Sequence, residues 1–392
     1  MNSRQILKQF KEEAPVSPYI TQEYLKNFYK KHRKYISVFP RFVGKIGKKI
    51  LKGETLLECE GWRIQYLKKS KRICILNSKS KCRIIGKRKQ ILAPILYDIH
   101  AREKMEELKA QGRLEYGIVF CGGGAKGAFQ LGVWKWLSVN GFADRFTGIS
   151  GASVGALNLL LFAQSDYEKA EEVWMKMKKG DLTRPNKALI HNLLNPAALA
   201  NWKKTAGLFS RKKLEGMVRD NITLESLQDK LAYVSLSVLR IKSFKQPVTK
   251  KVEYTYLDTR SGDSEEKNIK KVLASAACPG AYAPVGVDGK VCIDGGMLDN
   301  EPAYPLIKAG YRNIIVVHLK KREKDGKDRL KSFNKRLRKK FSEEELEGVK
   351  ICHVWPQKSL KDFLEIDPKL TQKRINAGYN AASAQLEDSF FQ

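Results

Sequence analysis

The sequence has no uninterrupted apolar run of about 18 residues, so no membrane-spanning helix is expected from it. Its first residues, MNSRQILKQFKEEAP, lack the apolar stretch of a secretory leader, which points to a chain made and kept in the cytoplasm. Among its seven cysteines no CxxC pair occurs, so neither a zinc site nor a disulfide framework is indicated, and reduced thiols are expected at Cys59, Cys74, Cys82, Cys121, Cys278, Cys292 and Cys352. There is no zinc finger and no RNP motif, and no internal repeat. Negative charge is scarce. Against 74 Lys and Arg stand 42 Asp and Glu, a net charge of +32 over 392 residues, which concentrates polyanions at the surface. Anionic lipid headgroups and nucleic acid both qualify; without a recognition motif, nucleic acid is the less favoured partner.

What is present divides in two. Residues 1–112 are dense in Lys and Arg and poor in glycine. Within them TLLECEG, WRIQYLK, RICILN and CRII, over 54–86, suit short strands between basic turns, and residues 93–112 suit a helix closed by Gly112. This part is expected to be a basic N-terminal appendage. From residue 113 to 392, apolar strand-like runs alternate with helical patterns: strands at 116–121 and 146–150, helices at 128–141 and 154–164, and later runs at 231–239, 290–293, 312–319 and 349–354. Such alternation argues for an α/β sheet covered on both faces. Two segments interrupt it. Residues 181–207 scatter Leu189, Ile190, Leu193, Leu194, Leu199 and Trp202 among prolines and glycines, a composition that suits a mobile lid or a lipid-insertion loop. Residues 320–347 form a charged insertion.

Three motifs carry chemistry. Gly151-Ala152-Ser153-Val154-Gly155 lies between a strand and an apolar helix, the setting of a nucleophile elbow that presents a serine hydroxyl with little cover. The bare pattern also fits an ordinary Gly/Ser turn. Gly122-Gly123-Gly124-Ala125-Lys126-Gly127 ends another strand, where free backbone amides can hold the oxyanion of an acyl-transfer intermediate. Gly122, Gly124 and Gly127 also satisfy a dinucleotide pattern, but the second strand ends in the serine turn instead of an acidic residue. A P-loop fails because Ala128 stands where Lys is required. Asp294-Gly295-Gly296 places a carboxylate at a strand end beside two glycines; Asp299 is its nearest rival, and a solvated turn aspartate is the plain alternative. His318, in the run IIVVHL, would complete a Ser…Asp…His order, although nothing specifically requires a triad.

In order, GGGAKG, GASVG and DGG resemble the glycine-rich oxyanion loop, nucleophile elbow and dyad aspartate of the patatin-like phospholipases. The stretch Ala274–Gly280 with Tyr282 and Pro284, and DGGMLDNEPAYPL with Asn300 and Pro302, are similar to the segments flanking that family's aspartate. The resemblance covers residues 115–310 and a closing helix near 370–387. Lys126 departs from the family's usual Arg, keeping charge but losing the forked donor geometry; Cys121 stands where Asp or Ser is common. The resemblance implies a three-layer α/β/α fold and a serine acyl-hydrolase of membrane lipids. Ser153 would be the nucleophile and Asp294 its base, with amides of Gly122, Gly123 and Gly124 as oxyanion hole. Lys126, Gly127, Gly151, Gly155, Gly295 and Gly296 would support the motifs. No cofactor, metal or catalytic histidine is implied. The expected partners are a phospholipid or other acyl-ester lipid and an anionic membrane surface.

Two basic amphipathic stripes bear on that surface. In residues 38–52, Phe42, Val43, Ile46, Ile50 and Leu51 share a face opposite Lys45, Lys48, Lys49 and Lys52. In residues 329–341, Leu330, Phe333, Leu337 and Phe341 do the same. Together they suggest a peripheral membrane protein, though either stripe also fits packing on the protein's own core. A non-catalytic membrane- or nucleic-acid-binding protein on a hydrolase scaffold is the remaining alternative.

Overall fold

The computed structural model describes residues 2–33, 36, 53–77, 82–186, 207–221, 223, 225–240, 249–260, 264–324 and 327–392. The stripe at 38–52 and most of the segment expected as a lid lie outside them.

Near the N-terminus, helices Ser3–Glu13 and Gln22–His32 precede strands β1 (Glu54–Cys59), β2 (Trp62–Leu67), β3 (Arg72–Leu76) and β4 (Cys82–Lys87), which form an antiparallel sheet in sequence order. The helix Arg88–Ala110 follows, and Gly112 takes the left-handed conformation just past its end, with φ +66.

The central sheet contains β5 (Tyr116–Phe120), β6 (Phe146–Gly151), β7 (Leu231–Arg240), β8 (Thr249–Tyr256), β9 (Val285–Val287), β10 (Lys290–Asp294) and β11 (Asn313–Val317). A two-residue hairpin, β12 (Glu323–Lys324) and β13 (Lys327–Asp328), intervenes before the last sheet strand, β14 (Lys350–Val354). The order is β14-β11-β5-β6-β7-β10-β9, with β8 paired to β7. Strands β14, β11, β5, β6 and β7 run parallel. All five residues of β5 are buried, as a parallel strand covered on both faces requires.

Side chains of β5 alternate between two cores. Tyr116, Ile118 and Phe120 pack with the helices Ala128–Val139, Val154–Ala163 and Pro368–Gln385. Val119 and Cys121 face the other way, toward the helices Arg88–Ala110 and Tyr304–Lys308 and the N-terminal helices. The fold is thus the expected three-layer α/β/α. The closing helix lies close to Ala128–Val139 because glycines meet at the crossing: a Cβ on Gly132 would strike the Ile375 carbonyl, and one on Gly378 the Phe129 carbonyl.

Strand β7 explains how distant motifs meet. β8 occupies one edge along 233–240. On the other edge, residues 231–234 pair in parallel with β6, and residues 236–239 pair antiparallel with β10. β6 and β10 therefore run toward each other, and their C-terminal ends, Gly151 opposite Val234 and Asp294 opposite Leu236, converge.

The charged insertion folds onto the body. Phe333, Leu337 and Phe341 are buried in the second core, so the stripe in 329–341 packs against the protein and offers no free apolar face. Among the described residues no helix is long and apolar enough to cross a membrane. Cys59, Cys74, Cys121, Cys278, Cys292 and Cys352 carry free thiols.

Candidate active site

Ser153 begins the helix Val154–Ala163 immediately after β6. Its backbone has φ +54 and ψ −125, a conformation that costs a non-glycine residue roughly 1–3 kcal/mol. The turn is tight because the chain folds back on itself: a Cβ on Gly155 would collide with the carbonyl of Phe120, and one on Gly151 with that of Gly155. The Ser153 amide donates to Ser275 Oγ at 3.0 Å, and Ser275 Oγ donates to the Ser235 carbonyl at 2.8 Å. The strained turn is therefore tied to β7.

The serine hydroxyl donates to Asp294 Oδ2 at 2.6 Å. The other carboxylate oxygen accepts from the amide of Gly296 at 2.7 Å. Gly295 packs so tightly on Ser235 that a Cβ would meet the Ser235 carbonyl oxygen. Asp294 is 5% exposed, and burial pushes its carboxyl up to about 6, with the bonds from Ser153 and Gly296 holding it from rising further.

Gly122, Gly123 and Gly124 curl beside this pair, and all three line the same cavity as Ser153 and Asp294. Their amides have no hydrogen-bond acceptor among the described residues. A Cβ at Gly122 would lie 2.6 Å from Asn300 Oδ1 and 2.9 Å from Ser153 Cβ, which shows how closely the loop approaches the serine. Asn300 Nδ2 donates to the Gly122 carbonyl at 3.2 Å and so ties this loop to the one that follows Asp294. Lys126 lines the cavity, and Gly127 lies against Val154 and Trp174. A buried polar chain braces the base of the loop: Gln130 donates to the Cys121 carbonyl at 2.8 Å, Asn158 to the Gly127 carbonyl at 2.9 Å and to Gln130 at 2.7 Å, and the Trp174 indole to Asn158 at 2.9 Å.

The cavity holds about 310 Å³. Beyond the polar end its wall is apolar: Leu157, Leu161, Val173, Trp174, Met177, Leu182, Leu214, Met217 and Val218. Leu182, at the edge of the segment expected as a lid, accepts a bond from Tyr282 OH through its carbonyl at 2.7 Å.

His318 is elsewhere. Its Nε2 lies 2.9 Å from His353 Nδ1, its Nδ1 3.5 Å from Glu301 Oε1, and its ring stacks on Trp355. Neither Ser153 nor Asp294 is among its partners, so the structure does not assemble the Ser–Asp–His arrangement weighed from sequence. Asp299 is also engaged, with the Tyr254 hydroxyl, with Lys340 at 3.0 Å and with the Glu301 amide at 3.2 Å. Ser275, Asn158 and Gln130 support the site without having been singled out as site residues: Ser275 lies within the stretch that resembles the family segment before the aspartate, and no local pattern marks Asn158 or Gln130, which act through contacts made far along the chain.

Residues 118–307 match the family model described as patatin-like phospholipase. Among curated proteins, uncharacterized NTE family proteins of Mycobacterium bovis and Mycobacterium tuberculosis are 28% identical over 200 residues, covering 50% of this chain. The chain spans about half the length of these relatives, 47%. Among solved structures, VipD from Legionella pneumophila aligns with a TM-score of 0.37 at 16% identity, covering 69% of this chain and 66% of that one. Full-length ExoU of Pseudomonas aeruginosa, in complex with SpcU, aligns with a TM-score of 0.35 at 15% identity, covering 68% and 52%.

Proposed function

We propose that this chain, whose residues 118–307 are a patatin-like phospholipase domain, hydrolyses acyl esters of lipids with Ser153 as nucleophile and Asp294 as general base. The observation that carries the reading is the 2.6 Å bond from the Ser153 hydroxyl to Asp294, made by a serine held at positive φ beside glycine amides that have no acceptor among the described residues.

Ser153 Oγ attacks the ester carbonyl as its proton passes to Asp294. The carbonyl oxygen becomes an oxyanion and takes hydrogen bonds from the amides of Gly122–Gly124, placed in a largely apolar cavity where such donors act strongly. Collapse of the intermediate expels the alcohol, which takes the proton from Asp294 and leaves an acyl-Ser153. Water then gives a proton to the freed carboxylate and attacks the acyl carbon. Release of the fatty acid returns that proton to Ser153. A carboxyl lifted to about 6 is a stronger base than an ordinary aspartate and is still mostly ionised at neutral pH.

The apolar wall favours an acyl chain as the buried part of the substrate, since each buried methylene contributes about 0.8 kcal/mol. The test is release of fatty acid from phospholipid vesicles and from a short-chain p-nitrophenyl ester. Ser153→Ala and Asp294→Asn should each lower turnover by roughly a thousand-fold or more while remaining folded; full activity in either variant refutes the assignment.

A further inference from the structure

We propose that the mouth of the cavity is a docking surface for an anionic phospholipid bilayer, made by Met297, Leu298 and Phe363 with Lys320, Lys321 and Arg322 beside them. The proposal rests on the lipid-ester reading of the Ser153 site and names the surface through which that site meets its substrate.

Six large apolar side chains stand exposed among the described residues, and three of them sit here: Met297 at 50%, Phe363 at 45% and Leu298 at 40%. Met297 and Phe363 both line the cavity that holds Ser153. They come from different loops, one following Asp294 and the other following β14, so the clustering is spatial and not an accident of one apolar stretch. Exposed apolar groups gathered at an opening mark an interaction surface. The Phe363 loop is fixed, not loose. The Phe363 carbonyl accepts from the Ala125 amide at 2.7 Å, and Arg374 holds the carbonyls of Leu360, Asp362 and Glu365.

Charge identifies the occupant. Lys320 lines the same cavity, and Lys321 and Arg322 follow it in exposed positions, Arg322 paired with Asp328 at 3.6 Å. Lys320 and Lys321 have no carboxylate within ion-pair distance among the described residues. Apolar tips flanked by the ammonium groups of Lys320 and Lys321 match an interface of acyl chains beneath anionic headgroups. Continuity with the cavity argues the same way. A chain that crossed water on its way to Ser153 would pay about four-fold in equilibrium for every methylene exposed; a mouth seated on the bilayer removes that crossing.

The experiment uses full-length protein carrying Ser153→Ala, so that binding is read without turnover, and vesicles of phosphatidylcholine with and without phosphatidylglycerol. The parent should partition onto the anionic vesicles and only weakly onto the neutral ones. Adding Leu298→Asp with Lys321→Glu, neither of which lines the cavity, should lower that partition by about ten-fold or more. In the catalytically intact protein the same pair should leave hydrolysis of a water-soluble short-chain ester unchanged and reduce hydrolysis of vesicle lipid. Equal partition of parent and variant overturns the proposal, as does failure of the parent to bind anionic vesicles. So does loss of self-association in the variant with vesicle binding intact. Vesicle binding that depends on these residues, in a chain that hydrolyses no ester, supports the surface and refutes the Ser153 reading.

Discussion

The carbonyl oxygen of Phe363 lies 2.7 Å from the amide nitrogen of Ala125 and accepts its hydrogen bond, directly behind the three glycines that face Ser153. One side chain grips Ala125 and the loop on either side of Phe363. Arg374, 2% exposed, donates to the carbonyls of Ala125, Leu360, Asp362 and Glu365 at 2.8–3.2 Å. It joins the last helix, the 360–365 loop and the base of the glycine loop.

Replacing Arg374 by Met strands four carbonyls and is expected to cost about 3 kcal/mol or more. Because the glycine amides lose their backing, kcat on a soluble ester should fall more than KM rises. Arg374→Lys, which keeps a donor, should recover part of both. Denaturant midpoints and steady-state kinetics on the three proteins check this; a kcat unchanged in Arg374→Met detaches this side chain from the site.

Asp294 sets a pH dependence. Burial raises its carboxyl to about 6, and the base must be ionised, so kcat/KM should rise with pH through about 6 and then level. Stability should move the opposite way. Between the unfolded value near 3.8 and the folded value near 6 the native state holds the extra proton, so ionisation on the alkaline side costs stability. Asp294→Asn removes that burden while keeping a partner for Ser153 and Gly296. It should be more stable than the parent by on the order of 1–3 kcal/mol at pH 8 and by little at pH 4. Thermal denaturation across this range reads the difference.

His100 joins the N-terminal helices to the central body. Its Nδ1 lies 2.9 Å from Asp258 and its Nε2 2.6 Å from Glu13, and the ring is buried. Burial pulls its proton affinity down, but the two carboxylates outweigh this and leave the pKa above the ordinary histidine value. A raised value means stability that is fully present below about 6.5 and lost as pH climbs through the folded pKa. His100→Gln should lose about 3 kcal/mol at pH 6 and show a flatter stability profile above it. An unaltered profile would remove His100 from this role.

His318 tests the rival chemistry. With its nitrogens turned to His353 and Glu301, His318→Asn should keep turnover within about ten-fold of the parent while lowering the denaturation midpoint. A loss as deep as that of Ser153→Ala would require a histidine in the reaction.

The motifs around the site were legible because local backbone demands small residues there. Gly155 passes under the Phe120 carbonyl, and the three glycines leave their amides to the cavity. Strands β5, β6, β10, β11 and β14 were legible as apolar runs. β8 was not, because its core-facing Glu253 is charged and paired at 2.7 Å with Lys290, a partner invisible until the strands are side by side. The N-terminal helix Ser3–Glu13 buries only Ile6 and Phe10, a spacing too sparse to stand out in a basic sequence. The stripe in 329–341 was visible as amphipathic, but amphipathicity does not say which apolar surface receives it; here it is the protein's own core. Arg374 carried no signal, since an arginine that caps only carbonyls has no acidic partner to betray it.

The central claim is that Ser153 attacks the ester and carries the acyl group. Rapid quenching during turnover of an ester substrate, followed by peptide mass analysis, tests it most directly. An acyl adduct should appear on the peptide containing Ser153, be absent in Ser153→Ala and form far more slowly in Asp294→Asn. Turnover with no adduct on Ser153, or with the acyl group on another residue, would contradict it.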